Sequence, residues 1–256
     1  MNKLDLKPVL KRIGAYMIDI IVTVMVATLI TNIPIINTKY QKYQDKYQEY
    51  QKLYTEYTNT KNLLKESYDD SKITKEEYEK LIKDNSYQEI ITKYYEDEKI
   101  TVDEYDSISS DIDKEYTETA QDYNYELQKL GIYNSIVTLS TTLVYFGIIA
   151  YLFKGQTLGK KLLNIQIVSA NDKKLTVFNY LLRSLIVNNV LLNGINLIFL
   201  GFTSKETFLK CDNIISLLIS LIEATIIYLV IVREDHRGPH DLICNTKVID
   251  TKKASE

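Results

Sequence analysis

The chain has no tryptophan, two cysteines, two histidines, three prolines and eight glycines in 256 residues. Two cysteines, Cys211 and Cys244, cannot form a disulfide framework and lack the paired spacing of a zinc site. His236 and His240 are four apart, a spacing that suits two ligands on one helical face, but Gly238 and Pro239 between them break such a helix. No metal and no cofactor are therefore expected. The run Gly155-Gln-Thr-Leu-Gly159-Lys160-Lys161 has three residues between its glycines rather than four, and Lys161 stands where a phosphate-binding loop needs Ser or Thr. No nucleophile–base pair is visible, so an enzyme is not expected. A net charge of −3 without a basic stripe argues against nucleic acid as a partner.

What the chain does have is long apolar runs. Residues 11–36 form one, and crossing a bilayer takes roughly 20 residues. A secretory signal peptide has a shorter apolar region and a small-residue cleavage site. This run is longer and carries Asp19, which marks it as a first transmembrane helix. Lys3, Lys7, Lys11 and Arg12 place the N-terminus on the cytoplasmic side. Arg12 and Asp19 are seven apart and share one helical face. A carboxylate at this depth is costly and needs a partner, a bundle interior or water. Two readings stay open for Asp19, a hydrogen-bonding residue between helices or an ion or proton site.

Three further runs, at about 132–153, 180–202 and 214–232, complete four spans. The third holds Arg183 and Asn188 and, on one helical stripe, Asn189, Asn193 and Asn196; these amides either bond to neighbouring helices or line a polar path. The fourth holds Glu223 near its middle, which needs a partner or a proton, with Ser216 and Ser220 on the same face. Lys154, Lys160, Lys161, Lys173 and Lys174 put the loop 154–179 in the cytoplasm, and the tail 233–256 follows it there. Residues 203–212 read as a short outer loop, so Cys211 and Cys244 fall on opposite sides of the membrane. Within the cytoplasmic loop, 165–168 and 175–177 flank the turn-forming pair Asn171-Asp172 and predict a small hairpin; 245–250 reads as a strand that pairs with it.

Residues 38–130 are of a different kind. They carry 14 Lys against 23 Asp or Glu, a net −9, while the rest of the chain carries +6; they also hold 15 of the 21 tyrosines. Tyr40, Tyr43, Tyr47, Tyr50, Tyr54 and Tyr57 step at heptad spacing, continued by Leu64 and Tyr68 and interrupted by Lys61. Tyrosine buries a ring while its hydroxyl stays wet, which suits a thin hairpin with a half-exposed seam. Lys72-Ile73-Thr74 with Glu77-Tyr78 recurs as Lys99-Ile100-Thr101 with Glu104-Tyr105, and each copy is a capping box. Helices are expected to start near Thr74 and Thr101, giving three in all. The segment reads as an extracytoplasmic helical stalk able to carry a protein partner.

Three blocks then carry a resemblance. Lys11-Arg12-Ile-Gly-Ala-Tyr-Met-Ile-Asp19, the run 155–160 with Asn-Ile-Gln-Ile-Val after it, and His240-Asp241 with a Val-Ile-Asp strand together resemble the RDD family of membrane proteins, over roughly residues 7–37 and 131–250. The resemblance implies Arg12 as the family's arginine and Asp19 and Asp241 as its two aspartates. It also implies a multi-pass protein of the cell membrane, for which transport is the proposed activity. The large insertion at 38–130 and the acidic run 233–237 depart from the family pattern.

The expected architecture is an all-α membrane protein of four transmembrane helices, both termini cytoplasmic, with a helical stalk and a small cytoplasmic β element. Its segments are 1–37, 38–130 and 131–256. Two functions are consistent with it. One is transport of a cation, proton or small solute, with Asp19 and Glu223 as ion ligands and Arg12 with Asp241 as a cytoplasmic latch. The other is a membrane-anchored interaction or assembly protein acting through the stalk. A bundle of four helices is small for a solute path, so a homo-oligomer is expected in the lipid bilayer.

Overall fold

The computed structural model of the chain describes residues 6–33, 39–69, 76, 79, 83, 86–94 and 102–252. In chain order its elements are α1 (Lys7–Thr31), α2 (Tyr40–Asp69), α3 (Gln88–Tyr94), α4 (Val102–Leu130), α5 (Ile132–Leu152), α6 (Leu158–Leu162), β1 (Ile165–Ser169), α7 (Val177–Val187), α8 (Val190–Phe202), α9 (Lys205–Val232), α10 (Pro239–Ile243) and β2 (Thr246–Asp250). It is a predominantly helical membrane protein, with one small sheet among the described residues. Two compact units share the chain: Met1–Thr38 with Gly131–Glu256, and Lys39–Leu130.

In the first unit, α1, α5 and α9 are each long and apolar enough to cross a membrane. Large apolar side chains are exposed along them, among them Met17, Ile21, Met25 and Leu29 on α1 and Leu217, Leu221 and Ile227 on α9. In water such faces would be a liability, whereas in lipid they are the required surface. Helix α1 packs on α5 and α6, and α8 packs on α5 and α9. Pro8 stands in the first turn of α1, where its missing N–H costs nothing.

The third apolar run is not the single helix expected over 180–202. It breaks at Asn188-Asn189 into α7 and α8, whose axes differ by 65°. Asn189 adopts the left-handed conformation, φ 52°, which Asn tolerates better than most residues. The side chains then serve the break: Asn188 Nδ2 donates to Ser184 Oγ at 3.2 Å, and Asn193 Nδ2 donates to the Asn189 carbonyl at 3.0 Å. The outer loop expected at 203–212 is also shorter. Ser204 Oγ accepts from the Thr207 N–H at 3.4 Å and starts α9 at Lys205.

The strand at 165–168 forms, but not as a hairpin with 175–177. β1 pairs antiparallel with β2, from Ile165 opposite Asp250 to Ser169 opposite Thr246. Residues 175–177 are drawn into the start of α7 instead, because Thr176 and Asn179 make a reciprocal capping box there.

In the second unit, α2 runs against α4, and the Tyr row of α2 supplies the seam. Tyr57 stacks on Tyr116 with ring centroids 4.0 Å apart, and Tyr50 meets Tyr123 at 6.1 Å. Alternate members of the row, Tyr40, Tyr47 and Tyr54, remain exposed. Further along, Leu64, Tyr87, Ile91, Ile108 and Ile112 form a buried core that includes α3. Lys61 does not open the seam: its Nζ reaches Asp113 Oδ1 at 2.8 Å and Ser109 Oγ, while the Tyr57 hydroxyl donates to the same Asp113 oxygen at 2.9 Å. Helix α4 starts at Val102, beside the expected cap. Glu104 and Tyr105 of the second copy lie in the first turn of α4, whereas Thr74, Thr101 and the other residues of the repeat named above lie outside the described residues.

Candidate functional site: two buried aspartates and a broken helix

Asp19 lies fully buried on α1, and everything around its carboxylate donates. Oδ1 accepts from the Tyr145 hydroxyl at 2.8 Å and the Gly159 N–H at 2.7 Å; Oδ2 accepts from Thr157 Oγ1 at 2.5 Å and Lys160 Nζ at 3.2 Å. The run at 155–160, unassigned on sequence grounds, is the cradle for this carboxylate. Gly155 takes φ +90°, so that the chain turns out of α5 where a Cβ would sit 2.1 Å from the Ile167 carbonyl oxygen. At Gly159 a Cβ would sit 2.2 Å from the Ala15 carbonyl oxygen, so α6 packs on α1 only with glycine there. A π-helical turn, Val144–Ile149, turns Tyr145, Phe146 and Gly147 inward together and brings the Tyr145 hydroxyl to Asp19. Burial pushes the Lys160 ammonium down to about 8, against the pull of Asp19.

Asp241, on α10, is the second buried carboxylate. Oδ1 accepts from Arg183 Nε at 3.1 Å and Thr246 Oγ1 at 2.7 Å. Oδ2 faces His240 Nε2 at 3.2 Å and Arg12 Nη1 at 3.8 Å. Arg12 also holds the chain after α9, donating to the His236 carbonyl and, at 3.2 Å, to the Val248 carbonyl of β2. Arg237 closes the cluster through the Thr246 and Asp241 carbonyls, at 2.9 and 3.2 Å. Burial alone would raise the Asp241 carboxyl; the Arg183 guanidinium, His240 and the Thr246 hydroxyl outweigh it and hold the group well below the usual carboxylate range. Burial and the field of Arg183 hold His240 below its ordinary value. Lys11 pairs with Asp250 at the edge of the same cluster.

A model of the RDD family matches residues 115–245, half of the chain. The chain belongs to the RDD family. No curated protein and no solved structure matches it. The RDD match takes in Tyr145, Thr157, Lys160, Arg183 and Asp241, and it begins after Arg12 and Asp19. Those two residues of α1 are tied to the matched part by the contacts above. Arg12 and Asp241 meet, whereas Asp19 and Asp241 have separate partners.

Glu223 has a thinner environment. Its Oε1 accepts one bond, from Asn189 Nδ2 at 2.9 Å. The three asparagines each find a different partner. Asn189 sits at the break, Asn193 turns back onto the Asn189 carbonyl, and Asn196 Nδ2 donates to Asp212 Oδ1 at 2.6 Å. Sequence reading missed Lys160, Arg183 and Asp212 as partners. Lys160 was legible in the glycine-flanked run; the other two depend on helix pairing that no local pattern specifies.

Proposed function

We propose that this RDD protein transports a cation or proton across the cell membrane, with Glu223 as the ion-binding carboxylate. The observation that carries this is the break between α7 and α8, which sets Asn189 against Glu223. Discontinuous helices in membrane bundles are where transporters place their ion sites, because the freed backbone and side-chain polar groups face the path rather than lipid. Asp19, with four donors and no open valence, serves as scaffold for the loop after α5. Arg12 and Asp241 fasten the two chain ends at the cytoplasmic face as a latch. No covalent chemistry and no cofactor are assigned. The test is proton flux driven by a cation gradient in proteoliposomes. Glu223→Gln should abolish it, and flux at the wild-type rate would overturn the assignment.

A second reading has its own support. The unit Lys39–Leu130 has a hydrophobic core of its own, which an ion path does not require. On that reading the protein is a membrane-anchored interaction or assembly protein, the unit lies outside the cytoplasm, and it binds a protein partner or a second copy. Replacing residues 40–130 with a short linker separates the two: flux should survive if transport is the function and partner capture should vanish if assembly is.

A further inference from the structure

Helix α6 has two opposed faces. Gly159 and Lys160 are buried, the first against the Ala15 carbonyl and the second on the Asp19 carboxylate. Leu158, Lys161 and Leu162 are exposed. The turn before α6 continues the outer face, with Leu152, Phe153 and Lys154 all exposed. The four apolar side chains among these are each half exposed or more. The position of α6 decides what covers them. The Gly159 N–H reaches Asp19 Oδ1 at 2.7 Å, and Leu163 Cδ1 lies 3.0 Å from where a Cβ on Gly14 would be. So α6 runs beside residues 14–19 of α1. Those residues belong to the stretch 13–31, whose one charged residue is Asp19. Lys11 and Arg12, just before it, are tied instead to β2. The leucines of α6 are therefore level with the first turns of a membrane-crossing helix, where Ile13 and Met17 of α1 also stand exposed.

The charge of this segment has one sign. No Asp or Glu occurs from Gly131 to Asn171, while Lys154, Lys160 and Lys161 do. Lys160 is committed to Asp19. Lys154 and Lys161 have no acidic partner among the described residues. A lysine at a bilayer edge lays its apolar stem along the acyl chains and lifts its ammonium to the phosphates. Lysines beside a span also attract anionic lipids over neutral ones. We propose that α6 and the turn before it form a lipid-binding surface at the bilayer edge. Leu158 and Leu162 lie among acyl chains, and Lys154 and Lys161 hold the phosphate of an anionic phospholipid. Short apolar–basic elements lying in the interface bind by this combination of buried apolar area and headgroup charge. One short helix then joins the Asp19 cradle on its inner face to lipid on its outer face, so the bound lipid fastens from outside the same loop that Asp19 fastens from within.

The chain has no tryptophan, so a single introduced one is a clean reporter. Leu162→Trp and, separately, Leu158→Trp place it on the outer face of α6; Leu221→Trp, on the exposed face of α9, is the reference. Each full-length variant is reconstituted in vesicles of phosphatidylcholine and phosphatidylglycerol. Either the neutral or the anionic lipid carries brominated acyl chains, at equal mole fraction of brominated lipid. Bromine quenches tryptophan on contact. Both α6 variants should be quenched, and brominated phosphatidylglycerol should quench them more strongly than brominated phosphatidylcholine, by roughly twofold or more. The α9 reference should be quenched equally by the two. Adding Lys154→Gln and Lys161→Gln to either α6 variant should remove the difference between the lipids and keep the quenching. Two results overturn the proposal. If neither α6 position is quenched while the reference is, the leucines face water or another protein. If the two lipids quench α6 equally with both lysines present, or if the difference survives the lysine changes, Lys154 and Lys161 do not hold an anionic lipid.

Discussion

Asp19 and Glu223 are both carboxylates within apolar helices, and their surroundings are opposites. Asp19 has four donors, one of them a lysine ammonium, and no exposure. Glu223 has one amide N–H, from a residue in a strained backbone conformation at a helix break, and that amide keeps an unpaired oxygen. The first arrangement surrounds the carboxylate with donors and uses it to hold a loop. The second leaves room for a ligand. Depth in the sequence of a span therefore says that a carboxylate must be accommodated; the number and charge of its donors say whether it is structural.

The largest effect should come from emptying the first site. Asp19→Ala leaves Lys160 buried without its partner and should lower stability by about 3–5 kcal/mol, measured by thermal unfolding in detergent. Adding Lys160→Met to it should recover a large part of that loss; no recovery would break the view of Asp19 as a paired scaffold. Acid should erode the neighbouring aspartate. Asp241 is held below its ordinary value of 3.8, so the unfolded chain takes up its proton first as pH falls. Its stabilisation is full above that value and is lost progressively below it. Asp241→Asn should flatten this part of the acid limb of the unfolding curve, and an unchanged limb would contradict the Arg183 pairing.

Gly159→Ala should cost about 1–3 kcal/mol, because the methyl group has to force α6 away from the Ala15 carbonyl. The second site should respond by chemistry rather than size. Glu223→Gln keeps an acceptor for the Asn189 amide and should move stability by less than about 0.5 kcal/mol, whereas Glu223→Ala strands that amide and should cost about 1–3 kcal/mol. Equal effects of Gln and Ala would remove the distinction between the two sites. Tyr57→Phe in the unit Lys39–Leu130 loses the bond to Asp113 and should cost about 1 kcal/mol with flux unchanged.

Much of the fold was legible. Four apolar runs, a polar insertion with its own Tyr row, and a strand near residue 165 that pairs with one near 248 all follow from composition and period. The break at Asn189 was not, because four amides in an apolar run read equally well as one stripe on an intact helix. It is decided by which carbonyls the side chains reach after the chain has bent. The site was legible in part. Arg12, Asp19 and Asp241 stand out as charges where charge is expensive. Their partners do not: Tyr145 faces inward because of a π-helical turn, and Arg183 reaches Asp241 because α7 packs on α10. The run at 155–160 was visible as a motif, yet its use as a carboxylate cradle depends on the approach of α6 to α1 that Gly159 permits.

The most direct test compares flux and folding in one variant, Glu223→Gln, reconstituted beside wild type at matched protein density. The account predicts an unfolding temperature like that of wild type together with loss of cation-driven proton flux. Flux at the wild-type rate in a folded Glu223→Gln protein would contradict it, and would return Glu223 to the same structural class as Asp19.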